Sequence, residues 1–403
     1  MLEWVNRNGK ILLAVRPIQA FAASFVSISF AIYLKTLGLS ISQIGLVLTG
    51  GLISSTLFNL AAGFLEARFG RRKILVFFGL LSTLGGLVFT FTTNTSLLII
   101  VAIATSMGYG GGFGAAQMLE RVILAQSCDD SKRTELYAIR NTVGSLATAT
   151  GSLFTGLLVL LEGLGYSSPA AYRVLFGVFT GLNLVLIILY LMLDEDAEIK
   201  LEEAKKVVLS SETKRYLVLL SILFSMDALG GAFITQSLVA YWLFERFGLA
   251  MDKIGMVFSA SSLLAAVSFM AAARISKRIG LINTMVFSHL PANLMMAVVP
   301  YMPSLETSLF FYLGRSLLSQ MDVPTRASYT MAIVKPEERA RFQSLLNLPR
   351  SFTLAIGPSI AGYLMQFIGI GTPFLVAGAI KATYDVLLWL TFKDIKPPEE
   401  TDV

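Results

Sequence analysis

Val174-Leu-Phe-Gly-Val-Phe-Thr-Gly-Leu-Asn-Leu-Val-Leu-Ile-Ile-Leu-Tyr-Leu-Met-Leu193 carries no charged side chain over twenty positions. A helix rises 1.5 Å per residue, so about 20 apolar residues span the hydrocarbon core of a bilayer. A buried strand would need far fewer. The run stops at Asp194, which opens the longest polar stretch of the chain, Asp194 to Thr213. Five comparable runs precede it, at about 5–34, 41–65, 74–94, 96–120 and 135–161. Six follow, at about 215–243, 253–274, 282–302, 306–333, 340–366 and 371–392. Turn signals such as Thr93-Asn94-Thr95, Ser167-Ser168-Pro169 and Tyr301-Met302-Pro303-Ser304 separate them. The expected fold is an all-α membrane protein of twelve transmembrane helices in two six-helix bundles, 1–193 and 214–403. The linker 194–213 joins them and holds a surface helix, Lys200 to Val208.

Composition agrees with this reading. The 403 residues are 55% hydrophobic, 11% aromatic and 14% charged, with mean hydropathy +0.71. Soluble domains carry about 25% charged residues. A disordered chain, a coiled coil and an ordinary soluble enzyme are thereby excluded. One cysteine, Cys128, rules out a disulfide framework and a four-Cys metal site. One histidine, His289, leaves no material for a His cluster. No cofactor or metal is expected. The formal charge is +6 and the pI about 9.3. In so apolar a chain the excess cations suit lipid headgroups rather than nucleic acid.

The N-terminus lacks the short apolar core and small-residue cleavage site of a signal peptide. With that end cytoplasmic, the outside segments hold only Lys35, Arg173, Arg246 and Lys253, and the inside ones hold twenty-two Lys and Arg. That asymmetry predicts a multi-pass protein of the cell membrane with both termini cytoplasmic.

The two halves repeat. At an offset of 210, Gly38, Leu39, Ile44, Gly45 and Val47 match Gly248, Leu249, Ile254, Gly255 and Val257. The same offset pairs Arg68 and Gly70 with Arg278 and Gly280. At 206, Arg133, Asn141, Ser145, Ala149, Gly151 and Gly156 match Arg339, Asn347, Ser351, Ala355, Gly357 and Gly362. Two six-helix repeats about an axis normal to the membrane describe a transporter that rocks around a central site.

The loop after the second run reads Gly63-Phe-Leu-Glu66-Ala67-Arg68-Phe-Gly70-Arg71-Arg72-Lys73. It resembles the G-x-L-x-D-R-x-G-R-R loop of the major facilitator superfamily, and the resemblance extends over the whole chain. Ser319-Gln-Met-Asp322-Val-Pro-Thr-Arg326, Pro336-Glu-Glu-Arg339, Asn347-Leu-Pro-Arg350 and Gly357-Pro358 resemble a prokaryotic exporter-like branch of it. The resemblance implies that the loop is part of an inside gate, with Glu66, Arg68, Gly70 and Arg71 in it. Ala67 stands where the family has Asp, and the nearest carboxylate is one residue earlier, at Glu66. Family antiporters often carry Gly-Pro in helix 5; here that place reads Gly151-Ser152, and Gly-Pro falls in helix 11.

An ionisable residue inside a span costs at least a few kcal/mol, so it faces a cavity or a partner. Arg16 and Asp227 both lie about 18 Å into their helices at 1.5 Å per residue. The 210 offset maps Arg16 onto Met226, next to Asp227. The reading is that the two face a shared cavity together with Arg315 and Arg350, and Gln19, Tyr109 and Gln117 are further candidates to line it. Structural pairing that fixes helix packing is the alternative. The Arg excess favours an anionic substrate, since a guanidinium stays charged and grips carboxylate or phosphate bidentately. Glu120, Arg140, Asp322 and Arg326 form a second layer nearer the cytoplasm that can close the inside gate. Asp227, Asp322 and Glu120 are the candidates for proton coupling, which needs a buried carboxylate with a moving partner.

Four further expectations follow. Lys381 and Asp385, spaced i, i+4, satisfy each other. His289 is a packing residue. Pro17 and Pro358 loosen helices 1 and 11. The Gly108–Gly114 run lacks the Gly-Lys-Ser/Thr of a phosphate loop, so it marks close helix contact or a kink.

The functional expectation is a secondary active transporter, not an enzyme, that moves a small organic solute by alternating access. The resemblance favours proton-coupled export. The alternatives are uptake or facilitated diffusion of an organic anion and, from another class, a non-transporting sensor or scaffold. A monomer in the lipid bilayer is the expected state.

Overall fold

The structure is a computed structural model and describes residues 3–111, 113–129, 132–198 and 209–395. The expected linker helix at 200–208 lies outside the described residues. The rest is helical. The first half contains α1 (Arg7–Thr36), α2 (Ile41–Phe69), α3 (Arg71–Phe91), α4 (Thr95–Thr105), α5 (Phe113–Ala125), α6 (Arg133–Leu153), α7 (Gly156–Gly163) and α8 (Ser168–Leu191). The second contains α9 (Ser211–Ala232), α10 (Gln236–Phe247), α11 (Met251–Ile279), α12 (Leu281–Val298), α13 (Leu305–Leu318), α14 (Asp322–Ala332), α15 (Arg339–Phe367) and α16 (Thr372–Phe392). Sequence-encoded caps set several starts. Ser40 forms a capping box with Gln43, and Ser304 forms one with Thr307.

Twelve spans become sixteen helices because four spans are broken: α4/α5, α6/α7, α9/α10 and α13/α14. The fourth span breaks where Ser106, Gly110 and Gly111 all take left-handed backbone, φ 54°, 81° and 68°. An α ladder cannot pass through such residues. Carbonyls near the break find side chains instead: the Ser82 hydroxyl donates to the Gly111 carbonyl at 3.0 Å. Nearby, the Ser106 hydroxyl donates to the Gly51 carbonyl at 2.8 Å. A polar break is tolerated in an apolar span only when its backbone groups are satisfied in this way. Pro17 and Pro358 lie inside uninterrupted helices. Each removes one ladder bond, and the turns on either side carry the helix through.

Among the described residues, nine helical stretches are long and apolar enough to cross a bilayer. The other three expected spans are helical too. Two are the broken spans α4/α5 and α13/α14, and the third, α15, carries Arg339, Arg341 and Arg350. Large apolar side chains stay exposed along the helices, among them Phe77, Leu84, Phe91, Ile188, Met270, Phe287 and Phe310. That is the surface a bilayer solvates.

The chain divides into two compact units. One comprises Met1–Glu202 with Gln236–Ser259, the other Glu203–Thr235 with Ala260–Val403. In the first, α1 is the most enclosed helix. Its Tyr33 joins Phe89, Tyr172 and Phe176 in an aromatic cluster, with Phe89 and Phe176 centroids 4.7 Å apart. The segment after the seventh span's break also belongs here. Ser27 donates to Gln236 Oε1 at 2.7 Å, and Thr155 donates to the Met251 carbonyl at 2.8 Å. The second unit is built on Leu220, Phe224, Met285, Val286, Tyr329, Phe342, Leu346, Leu388 and Phe392.

Close packing of α1 on α6 depends on Gly151. A Cβ there would lie 2.4 Å from the Phe21 carbonyl oxygen and 2.9 Å from its Cα. Neither backbone atom can rotate away. Gly151→Ala should therefore lower stability by about 1–3 kcal/mol, the usual cost of overpacking. Gly181, with open space around it, is the control: Gly181→Ala should be neutral or stabilising by up to about 1 kcal/mol. Thermal unfolding of the detergent-solubilised protein reads both.

In the second unit Glu338 ties the loop before α15 to the start of α9. Its carboxylate accepts from the Thr213 hydroxyl, from the Ser210 backbone N–H at 2.8 Å and from the Ser210 hydroxyl at 3.2 Å. The Thr213 bond, with help from Ser210 and Lys335, holds that carboxyl below the usual range. A depressed carboxylate stabilises the fold above its unfolded value, about 4.3. The contribution disappears as pH falls through the lower folded value. Glu338→Gln should lower the melting temperature at neutral pH, and the gap from wild type should close under acid conditions.

Candidate functional site

Each unit encloses a charged nucleus within its spanning helices. In the first unit the centre is Glu120 on α5, fully buried. Its Oε1 accepts from Gln19 of α1 at 2.6 Å and from the Tyr190 hydroxyl of α8 at 2.6 Å. Its Oε2 accepts from Arg140 of α6 at 3.1 Å. Gln19 also donates to Tyr190 at 2.7 Å. Four helices thus meet on one carboxylate. Gln19, expected to line a cavity, lies inside this nucleus.

Arg16 lies one turn before Gln19 on α1 and lies against α6 at Gly144, where a Cβ would come within 2.6 Å of its Nε. That Nε is buried without a hydrogen-bond partner, and Arg16 forms no ion pair among the described residues. Tyr109, beside the break between α4 and α5, also has a buried hydroxyl without a partner, and Gln117 on α5 is half-buried.

The loop between α2 and α3 is held from several sides. Arg71 is buried; its Nε lies 3.4 Å from Glu66, and its guanidinium donates to Gln126 at 2.9 Å and to the Ala197 carbonyl at 3.4 Å. Gly70 turns the chain with φ 84°. Glu198 then accepts from the backbone N–H of Arg71 at 2.6 Å and of Arg72 at 3.3 Å. A carboxylate here meets the positive end of α3. A Cβ at Gly70 would strike Glu198 at 2.6 Å. Arg68 is exposed, stacked on Phe69 with 5.3 Å to the ring centroid. Glu66 is therefore the partner of Arg71, while Glu198, from the linker, serves the helix end. Sequence reading did not single out Glu198; its only signal is a carboxylate in a linker facing a Gly-Arg-Arg turn.

The nucleus of the second unit is larger. Asp227 on α9 accepts from Lys381 of α16 on Oδ1 and from Arg326 of α14 on Oδ2, the latter at 2.9 Å. Arg326 also pairs with Asp322, one turn earlier on α14, and its guanidinium lies over Phe224, 4.9 Å from the centroid. His289 of α12 places Nδ1 2.8 Å from Asp385 and Nε2 4.0 Å from Asp227. Asn293 donates to the other Asp385 oxygen at 2.8 Å. All these groups except Arg326 are buried by more than nine-tenths.

Two expectations are corrected here. Lys381 does not satisfy Asp385 on its own helix. Its stem passes over Gly230, where a Cβ would meet Lys381 Cγ at 2.5 Å, and reaches Asp227. Asp385 turns instead to His289 and Asn293. His289 is accordingly not a packing residue but a polar link between α12 and α16. Asp227, read from sequence as facing a cavity shared with Arg16, has both oxygens paired within its own unit.

Arg315 on α13 forms no ion pair among the described residues. Its Nε is buried without a partner, and its guanidinium lies 5.7 Å from the Tyr312 ring. Arg350 is exposed on α15. Pro349 beside it borders an apolar cleft of about 750 Å³ between α9 and α15, lined also by Leu217, Ser225, Met226 and Leu229. Among the described residues no group of three His, Cys, Asp or Glu could hold a metal ion.

The family model of the Major Facilitator Superfamily matches residues 14–321. This chain belongs to that superfamily. The uncharacterized membrane protein YJR124C of Saccharomyces cerevisiae is 22% identical to it, over 96% of this chain and 94% of the yeast protein. The nucleoside transporter NupG superposes with a TM-score of 0.73 at 14% identity, covering 96% of this chain and all of NupG. A D-xylose–proton symporter gives 0.71 at 14% identity, covering 96% and 98%. At such identities the two solved structures establish a shared fold, and the family and fold are those of transporters.

Breaking a buried pair costs more than its net worth, because the surviving charge is stranded. Arg140→Met should destabilise the first unit by about 3–5 kcal/mol. Glu120→Gln combined with Arg140→Met should recover most of that loss. Denaturation midpoints of the two variants in one detergent are the measurement.

Proposed function

We propose that this superfamily member is a secondary transporter of a small organic anion, working by alternating access. One observation carries the proposal. Glu120, Asp227, Asp322 and Asp385 each have partners in their own unit, while Arg16, Arg315 and Arg350 have no carboxylate partner among the described residues. A guanidinium stays charged under all working conditions. Leaving one within a spanning segment costs several kcal/mol unless something neutralises it. An anionic substrate would do so, with Arg16 as the candidate grip in the first unit and Arg315 and Arg350 as the candidates in the second, each unit considered by itself. Tyr109 and Gln117 would add neutral hydrogen bonds along the path. The Lys and Arg distribution favours both ends at the cytoplasmic face.

Coupling to a proton is the second part of the proposal, supported by a buried carboxylate among cationic donors in each unit. The Glu66–Arg71–Glu198 cluster would serve the gate, since it ties the α2–α3 loop to the linker.

A thermal-shift panel of mono- and dicarboxylates, organic phosphates, nucleosides and sugars tests the substrate class, because a ligand stabilises the state it binds. Carboxylates or phosphates should raise the melting temperature. Arg16→Gln and Arg315→Gln should each abolish the shift, consistent with a loss of at least about tenfold in affinity. Counterflow into proteoliposomes should fall in parallel. Stabilisation by nucleosides or sugars alone, unaffected by either substitution, would refute the anion reading. No flux of any solute would favour a sensor or scaffold.

A further inference from the structure

We propose that α10 is a gate segment held on the far half of α1 by a releasable latch, the ion pair between Lys35 and Glu245.

The contact joins counterparts of the internal repeat. Lys35 pairs with Glu245, and the two are 210 positions apart. The Ser237 hydroxyl donates to the Ser27 carbonyl, again across 210 positions. At that same offset Gly38, Leu39, Ile44, Gly45 and Val47 match Gly248, Leu249, Ile254, Gly255 and Val257. The two contacts are eight positions apart on each helix, by 35 − 27 and 245 − 237. At 1.5 Å per residue α1 and α10 therefore lie side by side for about 12 Å. The Ser27 hydroxyl adds a bond to Gln236 Oε1 at 2.7 Å. All of these residues belong to the first unit. Every residue of α1 from Ser24 to Leu34 is buried, and so is every residue of α10 from Ser237 to Leu243. A buried run of about two turns or more leaves no face of a helix open.

Three features make the contact releasable. Its seam is polar: serine hydroxyls, a carbonyl and a glutamine amide meet there, and each can exchange its partner for water at little net cost. Its latch lies at the rim. The Lys35 and Glu245 side chains are 36% and 26% exposed, so water weakens their attraction. The Lys35 ammonium also lies 5.6 Å from the Tyr241 ring centroid and 5.3 Å from that of Phe244, so α10 grips it from three side chains. Finally, α10 is hinged. The chain passes from the second unit to the first between Thr235 and Gln236, at the break where α9 ends at Ala232 and α10 begins. Gly230 and Gly231 stand in the last turn of α9, and the Thr235 hydroxyl is buried without a hydrogen-bond partner. The counterpart stretch of α1, Ala22 to Val26, is continuous helix. One repeat thus supplies a rigid post and the other a hinged segment that closes on it.

Release of the latch would let water reach Ser27, Gln236 and Ser237. In that sense the latch extends the transporter reading, as a second gate besides the α2–α3 loop, but its opening is measured without any substrate.

Single-cysteine labelling in lipid nanodiscs is the test, on the full-length protein with its one cysteine removed as Cys128→Ser. Two reporters are used separately. Ala31→Cys lies between the two contacts on α1 and is fully buried, and Ser237→Cys lies on α10. Ser288→Cys on α12 is the control, because its hydroxyl bonds only to carbonyls of its own helix. A water-soluble maleimide should label both reporters slowly. Lys35→Glu and Glu245→Lys, which bring like charges together, should each raise the reporter rates by at least about tenfold. The double exchange Lys35→Glu with Glu245→Lys should restore most of the protection, and the control should label slowly throughout. Fast labelling of both reporters without either charge change overturns the proposal. So do unchanged rates in both single-charge variants, a rise shared by the control, and a double exchange as reactive as the singles. A failed anion screen would leave each of these results unaffected.

Discussion

Ions embedded in lipid-spanning helices must find partners, and that constraint organises the interior of both units. Water solvates a soluble protein's charges at the surface. Here a charge within a span has only other side chains, backbone dipoles or a ligand to compensate it. Glu120 draws α1, α6 and α8 onto α5 because Gln19, Arg140 and Tyr190 are its hydrogen-bond partners among the described residues. Asp227 does the same for α9, α14 and α16. Apolar packing fills the space around these nuclei, but lipid is as apolar as leucine and cannot by itself choose which helices meet.

The two nuclei are related by the internal repeat but inverted in sign. Glu120 and Arg326 are 206 positions apart, so a carboxylate in one half stands where a guanidinium stands in the other. Each recruits the opposite charge: Arg140 in the first case, Asp322 and Asp227 in the second. Each of the two carboxylate or guanidinium centres thus finds its opposite charge within its own unit. Arg16, Arg315 and Arg350 stand apart from this economy, which is why they carry the substrate proposal.

Breaks in the helices serve the same end. The fourth and tenth spans are interrupted near corresponding points of the repeat. The first break is made by three left-handed residues, the second by a turn at Ser319–Met321 with Pro324 in the first turn of α14. Each break redirects the following half-helix, which in both cases carries the acidic or basic centre of its nucleus. Glycine acts elsewhere by absence. Gly230 gives Lys381 room to reach across to Asp227, and Gly144 lets Arg16 lie against α6.

The helical spans were legible in the amino-acid order. They depend on a local quantity, the length of an apolar run. Partner choice was not legible. Lys381 has a carboxylate one turn away on its own helix and another on α9, and the i, i+4 rule favours the first. Only the three-dimensional path over Gly230 selects the second. Glu198 lies 128 positions from Gly70 in the chain, by 198 − 70, and no local pattern announces that the linker returns to cap α3. His289 looked like filling beside a proline until α16 brought Asp385 to one of its nitrogens and α9 brought Asp227 toward the other. Sequence alone therefore determined what must be buried and how often the chain crosses, because hydrophobicity is additive along a helix. Tertiary structure decided which buried charge answers which, because that is set by contact between helices far apart in the chain.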